Sequence, residues 1–296
     1  MEQAGAVTVR NAIEADIDAI IAIAQATGQE EDWTTVFPNY VRHLIEHGRF
    51  LVGCRDGVVT GFGGTRQIGA GLRAVSMLTD LFVDPAAHGT GTGRTILSAL
   101  WAGQPRKMTF SSLHSNALPL YTSFGVDAWW PLLYLGGRPS ALAMPPGWSV
   151  SEAGPGDVAA FELAWTGIDR TADHEMWAAR PAGASLIASV RGLPVAAGSA
   201  GGVGAEYGIG HLVVDAAALA SIDADAPPGA AADAVIAALA HLEPDDGQAH
   251  VCLPAPHPAV RRLLGAGWKV TDLDLYMASE PEFIDPRRTV PSPALA

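Results

Sequence analysis

The segment with the clearest chemical potential is 81–97, LFVDPAAHGTGTGRTIL. An apolar run ends at a proline, and three glycines, Gly89, Gly91 and Gly93, precede residues that favour a helix. Glycine permits positive φ angles and leaves backbone N–H groups uncovered where a helix begins. Uncovered amides and the helix dipole together favour a phosphate group, and Arg94 adds a positive charge. The segment therefore predicts an anion-binding turn.

Two familiar phosphate-binding loops do not fit this turn. A dinucleotide fingerprint, GxGxxG, fails because the third glycine position counted from Gly89 is Arg94. A P-loop fails because no Lys-Ser/Thr pair follows a four-residue gap. For an isolated pattern, a glycine-rich connection that binds nothing is the alternative.

The predicted elements around the turn alternate between strands and helices. Apolar residues at helical or alternating spacing predict the order βααβββαβαβ for the first half of the chain. The predicted strands are 7–10, 50–55, 58–66, 72–83, 107–113 and 130–135, and the helices lie around 17–24, 40–45, 91–101 and 117–124. Asp80 interrupts the apolar strand VSMLTDLFV, so its carboxylate points either to an interior partner or to a substrate cleft.

The second half of the chain repeats the first. Four segments recur in the same order, which predicts a duplicated fold. They are 7–20 with 148–161, 51–63 with 186–198, 81–85 with 212–216, and 116–126 with 258–268. We therefore predict a first domain at 1–138, a linker rich in glycine, alanine and proline at 139–147, a second domain at 148–280, and a loosely held tail at 281–296.

Charge and composition exclude several classes of protein. The 296 residues carry a net charge of −13, which argues against a nucleic-acid-binding surface. Residues 1–140 hold 10 basic and 12 acidic residues, whereas the remainder holds 8 and 19. Cys54 and Cys252 lack the spacing of a disulfide framework or a metal site. Without a basic leader or a long apolar run, we expect a cytoplasmic protein with no membrane partner and no metal.

The segment around the turn resembles the acyl-CoA pyrophosphate loop of the GNAT acyltransferase superfamily. The family pattern is L-x-V-x-P, then [Q/R]-x-x-G-x-G, then a helix; here it reads Leu81, Val83, Pro85, then His88, Gly91 and Gly93. His88 replaces the usual Gln or Arg. A second family motif, around the alanine, tyrosine and glycine of SNALPLYTSFGV at 115–126, keeps its spacing, although Val126 replaces the usual Phe. The predicted element order is also the GNAT order.

The resemblance implies a fold class, a co-substrate and a set of site residues. It implies an α/β (α+β) chain of two tandem GNAT-like domains, each a mixed, mostly antiparallel sheet flanked by helices, with acetyl-CoA as co-substrate. The backbone of Leu81, Phe82 and Val83 would hold the pantetheine arm, and one amide there would stabilise the developing oxyanion. The pyrophosphate would be held by His88, Gly89, Thr90, Gly91, Thr92, Gly93 and Arg94. Ser115 or Asn116 would bond the pantetheine amides.

The resemblance also implies catalytic roles. Tyr121 would protonate the departing thiolate as a general acid, with an ordinary core tyrosine as the alternative. Asp80 is the candidate general base, and a purely structural carboxylate is the alternative. The charged run Glu30, Glu31 and Asp32 falls where the family lines its acceptor site, although such a run is also typical of a solvated turn.

The second half departs from the motif where coenzyme binding would need it. The segment after LVVDA has no GxG and no basic residue, and Leu263 stands where the first half has Tyr121. Gly167-x-x-Arg170-x-x-Asp173 resembles a signature of the degenerate C-terminal domain of tandem GNAT proteins. Asp169, Arg170 and Asp173 are accordingly predicted to form a structural ion-pair cluster.

These observations predict a tandem GNAT protein with an active first domain and a degenerate second one. The expected activity is acetyl-CoA-dependent N-acetylation of a small primary amine by direct attack, in a monomer or homodimer. The alternative is a non-catalytic acyl-CoA-binding or regulatory tandem GNAT protein.

Overall fold

The computed structural model of the protein describes residues 6–28, 33–202, 207–222, 227–243 and 247–295. By its internal contacts the chain divides into two compact units. The first comprises residues 1–110, 115–127 and 278–280, and the second comprises 111–114, 128–277 and 281–296. Contacts assign residues to units without showing which segment folds alone, so the domain bounds derived from the sequence stay a prediction.

The first unit is a five-stranded mixed sheet with helices. Its strands lie in the order β1-β2-β3-β4-β5, antiparallel except for the parallel pair β4 and β5. The strands are β1 (Thr8–Asn11), β2 (Arg49–Arg55), β3 (Val58–Ile68), β4 (Val75–Val83) and β5 (Lys107–Ser111); the helices are α1 (Ile17–Ala26), α2 (Trp33–His47), α3 (Thr92–Leu100) and α4 (Ala117–Thr122). Strand β4 begins at Val75, later than predicted, because Gly71–Arg73 forms a short 3-10 turn.

Glycines in β2 and β3 let α3 pack close to the sheet. A Cβ atom added at Gly53, Gly61 or Gly63 would lie 2.9–3.1 Å from the nearest side-chain or backbone atoms of its neighbours, which include Ile96. Contacts this short are tighter than side chains normally make, so a larger residue at these positions would push the α3 side chains or the neighbouring strand away. The apolar side chains Ile96, Leu97 and Leu100 of α3 are buried there.

The pairing of β3 with β4 contains a bulge beside Asp80. Gly64 pairs with Asp80, but the next residue, Thr65, pairs with Leu78. Thr79 is therefore an extra residue in β4, and such an insertion bends the strand and redirects its side chains. The bulge places Asp80 on the sheet face covered by α2.

The second unit is a larger mixed sheet, ordered β12-β6-β11-β10-β9-β8-β7. Its strands are β6 (Asp127–Gly137), β7 (Trp148–Ala153), β8 (Ala184–Val190), β9 (Leu193–Gly201), β10 (Gly208–Val214), β11 (Ala249–Pro254) and β12 (Lys269–Ala278); its helices are α5 (Pro155–Thr166), α6 (Thr171–Ala178), α7 (Ala216–Ile222), α8 (Pro227–His241) and α9 (Pro258–Gly265). Strand β6 pairs antiparallel with β11, from Leu132↔Pro254 to Gly137↔Ala249. It therefore belongs by contacts to this unit from Ala128 onward.

The order of elements predicted for residues 7–135 is confirmed, and the second half repeats it with α7 added. The repeat extends to backbone angles. Asp56 and Gly57 have φ of +50° and +80°, and Arg191 and Gly192 have +51° and +80°. Two successive positive φ angles are the requirement of a type I′ hairpin turn. The two halves therefore share local geometry as well as sequence pattern.

The expectation of a loosely held tail is wrong for residues 290–295. Val290 and Leu295 are fully buried, and Ser292 is only 6% exposed. The reason is a backbone partner: the Leu212 and Val290 amides each donate to the other residue's carbonyl, at 3.0 and 2.9 Å.

No helix in the described part of the chain combines the length and the apolar character needed to cross a membrane.

Candidate functional site

The site begins where β4 and β5 part. Their parallel pairing runs from Ser76↔Lys107 to Leu78↔Thr109, where the Thr109 hydroxyl donates to the Leu78 carbonyl at 3.0 Å. Strand β4 continues to Val83, held only on its β3 side. The sheet of the first unit therefore has a gap along the far edge of residues 79–83.

The backbone of β4 offers polar groups to this gap. The Asp84 amide donates to the Thr60 carbonyl of β3 at 3.0 Å. Because backbone groups alternate between the two edges of a strand, Leu81 and Val83 direct their amides and carbonyls away from β3. The Nε2–H of His88 donates to the Val83 carbonyl at 3.0 Å. In this conformation His88 therefore closes one end of the gap.

The glycine turn that follows β4 is held in shape by its own side chains. Gly89 and Gly91 have φ angles of +76° and +86°, which confirms the conformational role assigned to glycine there. The Thr90 hydroxyl lies 2.6 Å from the Ala87 carbonyl and 2.9 Å from the Thr92 hydroxyl. Gly91 is the N-cap residue of α3.

The turn presents a row of uncommitted backbone amides. Among the described residues, the amides of Gly89, Gly91, Thr92, Gly93 and Arg94 donate no backbone hydrogen bond. A Cβ at Gly93 would lie 3.3 Å from Val83, so the turn sits directly against the end of β4. Amides at a helix N-terminus beside an exposed guanidinium fit an anionic group such as a pyrophosphate.

The structure brings Arg94 and Tyr121 to the same aromatic cluster. The Arg94 guanidinium lies 5.6 Å from the Phe124 ring, and the Trp101 ring lies 6.0 Å from Phe124 and 6.2 Å from Tyr121. Tyr121 is 8% exposed. The cluster joins the end of α3 to α4 and holds Tyr121 next to Trp101 at the end of α3. Asn116, just before α4, is exposed.

Lys107, at the start of β5, was not singled out by sequence reasoning. Its ammonium group donates to the Phe124 carbonyl and lies 5.7 Å from the Trp101 ring. Burial lowers the pKa of Lys107. A cation at the first position of an apolar strand, just after Arg106, was the available signal, but the partner of Lys107 lies 17 residues away. It supports the turn after α4 that carries Tyr121.

Asp80 has the interior partner that sequence analysis offered as one of two possibilities. The Tyr40 hydroxyl of α2 donates to Asp80 Oδ2 at 2.8 Å, and the carboxylate is 7% exposed. Burial raises the pKa of Asp80 to about 6, and hydrogen bonds to the carboxylate offset only part of this effect. A carboxylate with a pKa near 6 can accept a proton at neutral pH.

The candidate acceptor residues are not among those that the structure describes. Glu30, Glu31 and Asp32 fall outside the described residues. Their proposed role as a substrate-binding run therefore stays a prediction, and Asp80 with Tyr40 is the described polar pair on the α2 side of β4.

The second unit carries a buried polar cluster at the corresponding place. His211 follows a bulge at Gly210 of β10 just as Asp80 follows the bulge of β4. Its Nε2 lies 3.1 Å from Glu162 Oε1, and His174 Nε2 lies 2.7 Å from Glu162 Oε2. Sequence reasoning missed these three residues; a glutamate inside the apolar helix α5 was the available signal.

The predicted ion pair within this cluster is present in part. Arg170 contacts Asp173 at 3.4 Å and also Glu162 at 3.1 Å. Asp169 instead accepts hydrogen bonds from the amide and hydroxyl of Thr171. Burial alone would raise the pKa of Glu162, but the neighbouring histidines and guanidinium hold it below its usual range.

This cluster has the composition of a metal site but a different charge balance. Ligand atoms of Glu162, His174 and His211 lie within 4.8 Å of one another, the one such group found among the described residues. The Arg170 guanidinium already supplies positive charge 3.1 Å from the carboxylate. A divalent cation would be repelled by that group, so the arrangement is better explained as a hydrogen-bonded ion-pair network.

The described residues that follow β10 differ from the glycine turn that follows β4. Helix α7 begins at Ala216, two residues after β10 ends. Asp215 accepts hydrogen bonds from the amides of Ala217 and Ala218, much as its counterpart Asp84 accepts one from the amide of Ala86. Leu263, at the position of Tyr121, is fully buried. The sequence therefore has neither a GxG pattern nor a tyrosine at the corresponding places.

Comparisons with known proteins point to one fold. Residues 46–126 match the family model of the acetyltransferase (GNAT) domain. A Pyrococcus horikoshii protein assigned as an acetyltransferase is 15% identical with a TM-score of 0.72, covering 98% of this chain and 94% of its own. A GCN5-related N-acetyltransferase from Kribbella flavida is 14% identical with a TM-score of 0.60, covering 92% and 70%.

A third structure, a GCN5-related N-acetyltransferase from Sphaerobacter thermophilus, is 16% identical with a TM-score of 0.54, covering 92% of this chain and 95% of its own. No curated protein sequence matches the chain. At these identities the solved structures show a shared fold and no more. Residues 46–126 therefore match the acetyltransferase (GNAT) domain model, and the chain has the fold of these acetyltransferase structures.

Proposed function

We propose that the protein is an acetyl-CoA-dependent N-acetyltransferase, with an active first domain and a degenerate second domain in a tandem GNAT arrangement. The observation that carries the proposal is the pairing of the β4 gap with five uncommitted amides next to it. One feature suits an extended pantetheine arm and the other suits its pyrophosphate.

Each part of the coenzyme has a matching part of the chain. The turn from Gly89 to Arg94 would hold the pyrophosphate, and the edge of Leu81, Phe82 and Val83 would hold the arm. For the arm to reach Val83, the His88 ring would have to leave the Val83 carbonyl and could turn toward the pyrophosphate. Asn116, exposed before α4, would bond the amides of the arm.

The reacting atoms would meet beside the bulge of β4. A backbone amide there would stabilise the negative charge that develops on the thioester oxygen when the amine attacks. Asp80 would take the proton from the attacking ammonium, directly or through water. The Tyr121 hydroxyl would give a proton to the departing sulfur.

The acceptor in this proposal is a small primary amine. The acidic excess of the chain, 31 acidic against 18 basic residues, favours the approach of a cationic acceptor and disfavours nucleic acid. Glu30, Glu31 and Asp32 are proposed to line its site. We further propose a cytoplasmic monomer or homodimer that needs neither a metal nor a membrane.

The test is an amine panel with acetyl-CoA as donor, followed through release of free thiol. The proposal expects thiol release above the hydrolysis background for at least one amine, and a mass increase of one acetyl group in that amine. A rise in melting temperature with acetyl-CoA, but no turnover with any amine, would overturn the catalytic assignment.

That second outcome would support a non-catalytic acyl-CoA-binding or regulatory protein. One observation favours this alternative: Asp80 is buried and already hydrogen-bonded to Tyr40, as a structural carboxylate would be. If acetyl-CoA did not raise the melting temperature, both assignments would fail.

A further inference from the structure

The end of the chain occupies a strand edge in the second unit. Strand β11 pairs with β10 only at Gly208↔His250 and Ile209↔Val251. Beyond this point the edge of β10 is taken by Val290, which exchanges two backbone hydrogen bonds with Leu212. The Asp215 amide donates to Val195 of β9, so by alternation Leu212 faces the opposite, β11 side. Val290 therefore forms a bridge with the edge of β10 beyond the last residue that pairs with β11.

A second anchor holds the segment five residues further on. The Arg170 Nη1 donates to the Leu295 carbonyl at 2.8 Å. Arg170 is itself 4% exposed and is fixed by the carboxylates of Glu162 and Asp173. The buried polar cluster of this unit thus presents a fixed guanidinium to the backbone of the tail.

The side chains of the segment are buried like those of a bound peptide. Val290 belongs to the same apolar cluster as Leu212 and Val251, and Leu295 is fully buried. Within the segment, the Leu295 amide donates to the Ser292 hydroxyl at 3.2 Å. One antiparallel β-bridge, one cationic contact and two buried apolar side chains resemble the contacts of a peptide that binds to a strand edge.

We infer that the second unit is a peptide-binding module whose ligand is segment 290–295 of this chain. The internal repeat aligns Leu212 with Leu81 in sequence. The edge that Val290 occupies is therefore the counterpart of the gap beside β4. The inference rests on the contacts of the tail and stands independently of the proposed acetyl transfer.

The test uses the full chain with a specific protease site inserted between Glu280 and Pro281. After cleavage the tail has no covalent link to the body, so only its contacts retain it. We expect the tail fragment to co-elute with the body in size-exclusion chromatography. A synthetic peptide of residues 285–296 should exchange with it.

Matched variants identify the contact that retains the cleaved tail on the second unit. Val290→Pro removes the amide that donates to Leu212 and should accelerate loss of the cleaved tail at least tenfold. Arg287→Ala, at an exposed position three residues before Val290, should change the rate less than twofold. If the native and Val290→Pro tails leave equally fast, the inference is wrong.

A measurement on the uncut chain covers the case in which cleavage unfolds the unit. Hydrogen exchange of the Leu212 amide, which donates to Val290, should be slow in the parent chain and in Arg287→Ala. It should become at least tenfold faster in Val290→Pro, while the amide of Val213 on the β9 side changes much less. Fast exchange at Leu212 in the parent chain would overturn the inference.

Discussion

Asp80 combines burial, a hydrogen-bond donor and a position beside the β4 gap. Its carboxylate is on the strand whose backbone faces that gap, one residue before Leu81. The charged form is disfavoured by burial, which raises its pKa to about 6. Between about pH 4 and 6 the folded protein therefore holds a proton that the unfolded chain releases, so this group lowers stability as the pH rises through that range.

The pH dependence of the reaction should report this group. As a base, Asp80 must be ionised, so kcat/KM should fall as the pH drops through about 6. Asp80→Asn should remove this acidic limb of the pH profile along with most of the activity. Tyr40→Phe removes a hydrogen bond that favours the charged form, so the limb should move to higher pH. The measurement is kcat/KM between pH 5 and 9.

Two checks separate chemistry from folding in this experiment. Asp80→Asn removes a buried charge, so above pH 6 its melting temperature should not fall much, and Tyr40 can still donate to the amide oxygen. Asp56→Asn, at the tip of the β2–β3 turn, should leave the pH profile unchanged. A limb near pH 6 that survives in Asp80→Asn would exclude this residue as the base.

Tyr121 should act on the rate of the chemical step. Tyr121→Phe removes the hydroxyl but leaves the ring beside Trp101. Trp101 also contacts Phe124, whose ring lies next to the Arg94 guanidinium. The affinity for acetyl-CoA should therefore stay unchanged. A lost general acid costs roughly 100-fold in rate, which sets the expected fall in kcat. Steady-state kinetics and a binding titration with acetyl-CoA measure the two quantities.

The control is Tyr134→Phe, which removes a hydroxyl bonded to Asp274 in the second unit. It should leave kcat within a factor of two. An unchanged rate in Tyr121→Phe would show that this tyrosine is a structural residue of the aromatic cluster.

At the scale of elements, the backbone conformation of the glycine turn should determine how tightly the chain binds acetyl-CoA. Gly91 has a φ of +86° at the start of α3, and a Cβ there would meet no atom within 4 Å. Gly91→Ala therefore introduces about 1 kcal/mol of backbone strain and no clash. Relief of the strain would turn the neighbouring amides away, so we expect at least a tenfold rise in the Kd of acetyl-CoA.

Gly103 provides a matched control for this prediction. It has a φ of +71°, equally open surroundings, and lies beyond the end of α3. Gly103→Ala should lower the melting temperature by a similar amount but leave the Kd unchanged. Equal losses of affinity in both variants would mean that the turn acts only through stability.

The elements could be predicted from the sequence because their signals are local. Apolar spacing, the Asp56-Gly57 turn and the glycines of the anion-binding turn lie within a few residues of what they specify. The partners of the site could not be predicted in this way. Tyr40 meets Asp80 across 40 residues, and His211 meets Glu162 across 49. Such pairs depend on the register of strands and on bulges, which periodicity does not reveal.

The partner of the tail was even harder to predict from local sequence signals. Its proline content is typical of a loose end, yet Val290 pairs with a strand 78 residues earlier in the sequence. A single valine among prolines carries no strand signal. Only the edge left open where β11 leaves β10 explains why it is buried.

At the scale of the whole molecule, the uneven charge follows the division of roles that we propose. Residues 1–140 hold 10 basic and 12 acidic residues, and this part contains the anion-binding turn. The remainder holds 8 basic and 19 acidic residues and has no GxG after the segment that matches β4. An acidic surface repels an anionic coenzyme.

The last prediction is therefore the number of coenzyme molecules bound. In the second half the sequence after β10 has no GxG, and the edge of Leu212, the counterpart of Leu81, is occupied by Val290. Isothermal titration of the parent chain with acetyl-CoA should give one site per chain, and Gly91→Ala should weaken that site without revealing another. A stoichiometry near two would show that the second unit also binds coenzyme, and that the tail yields its place to it.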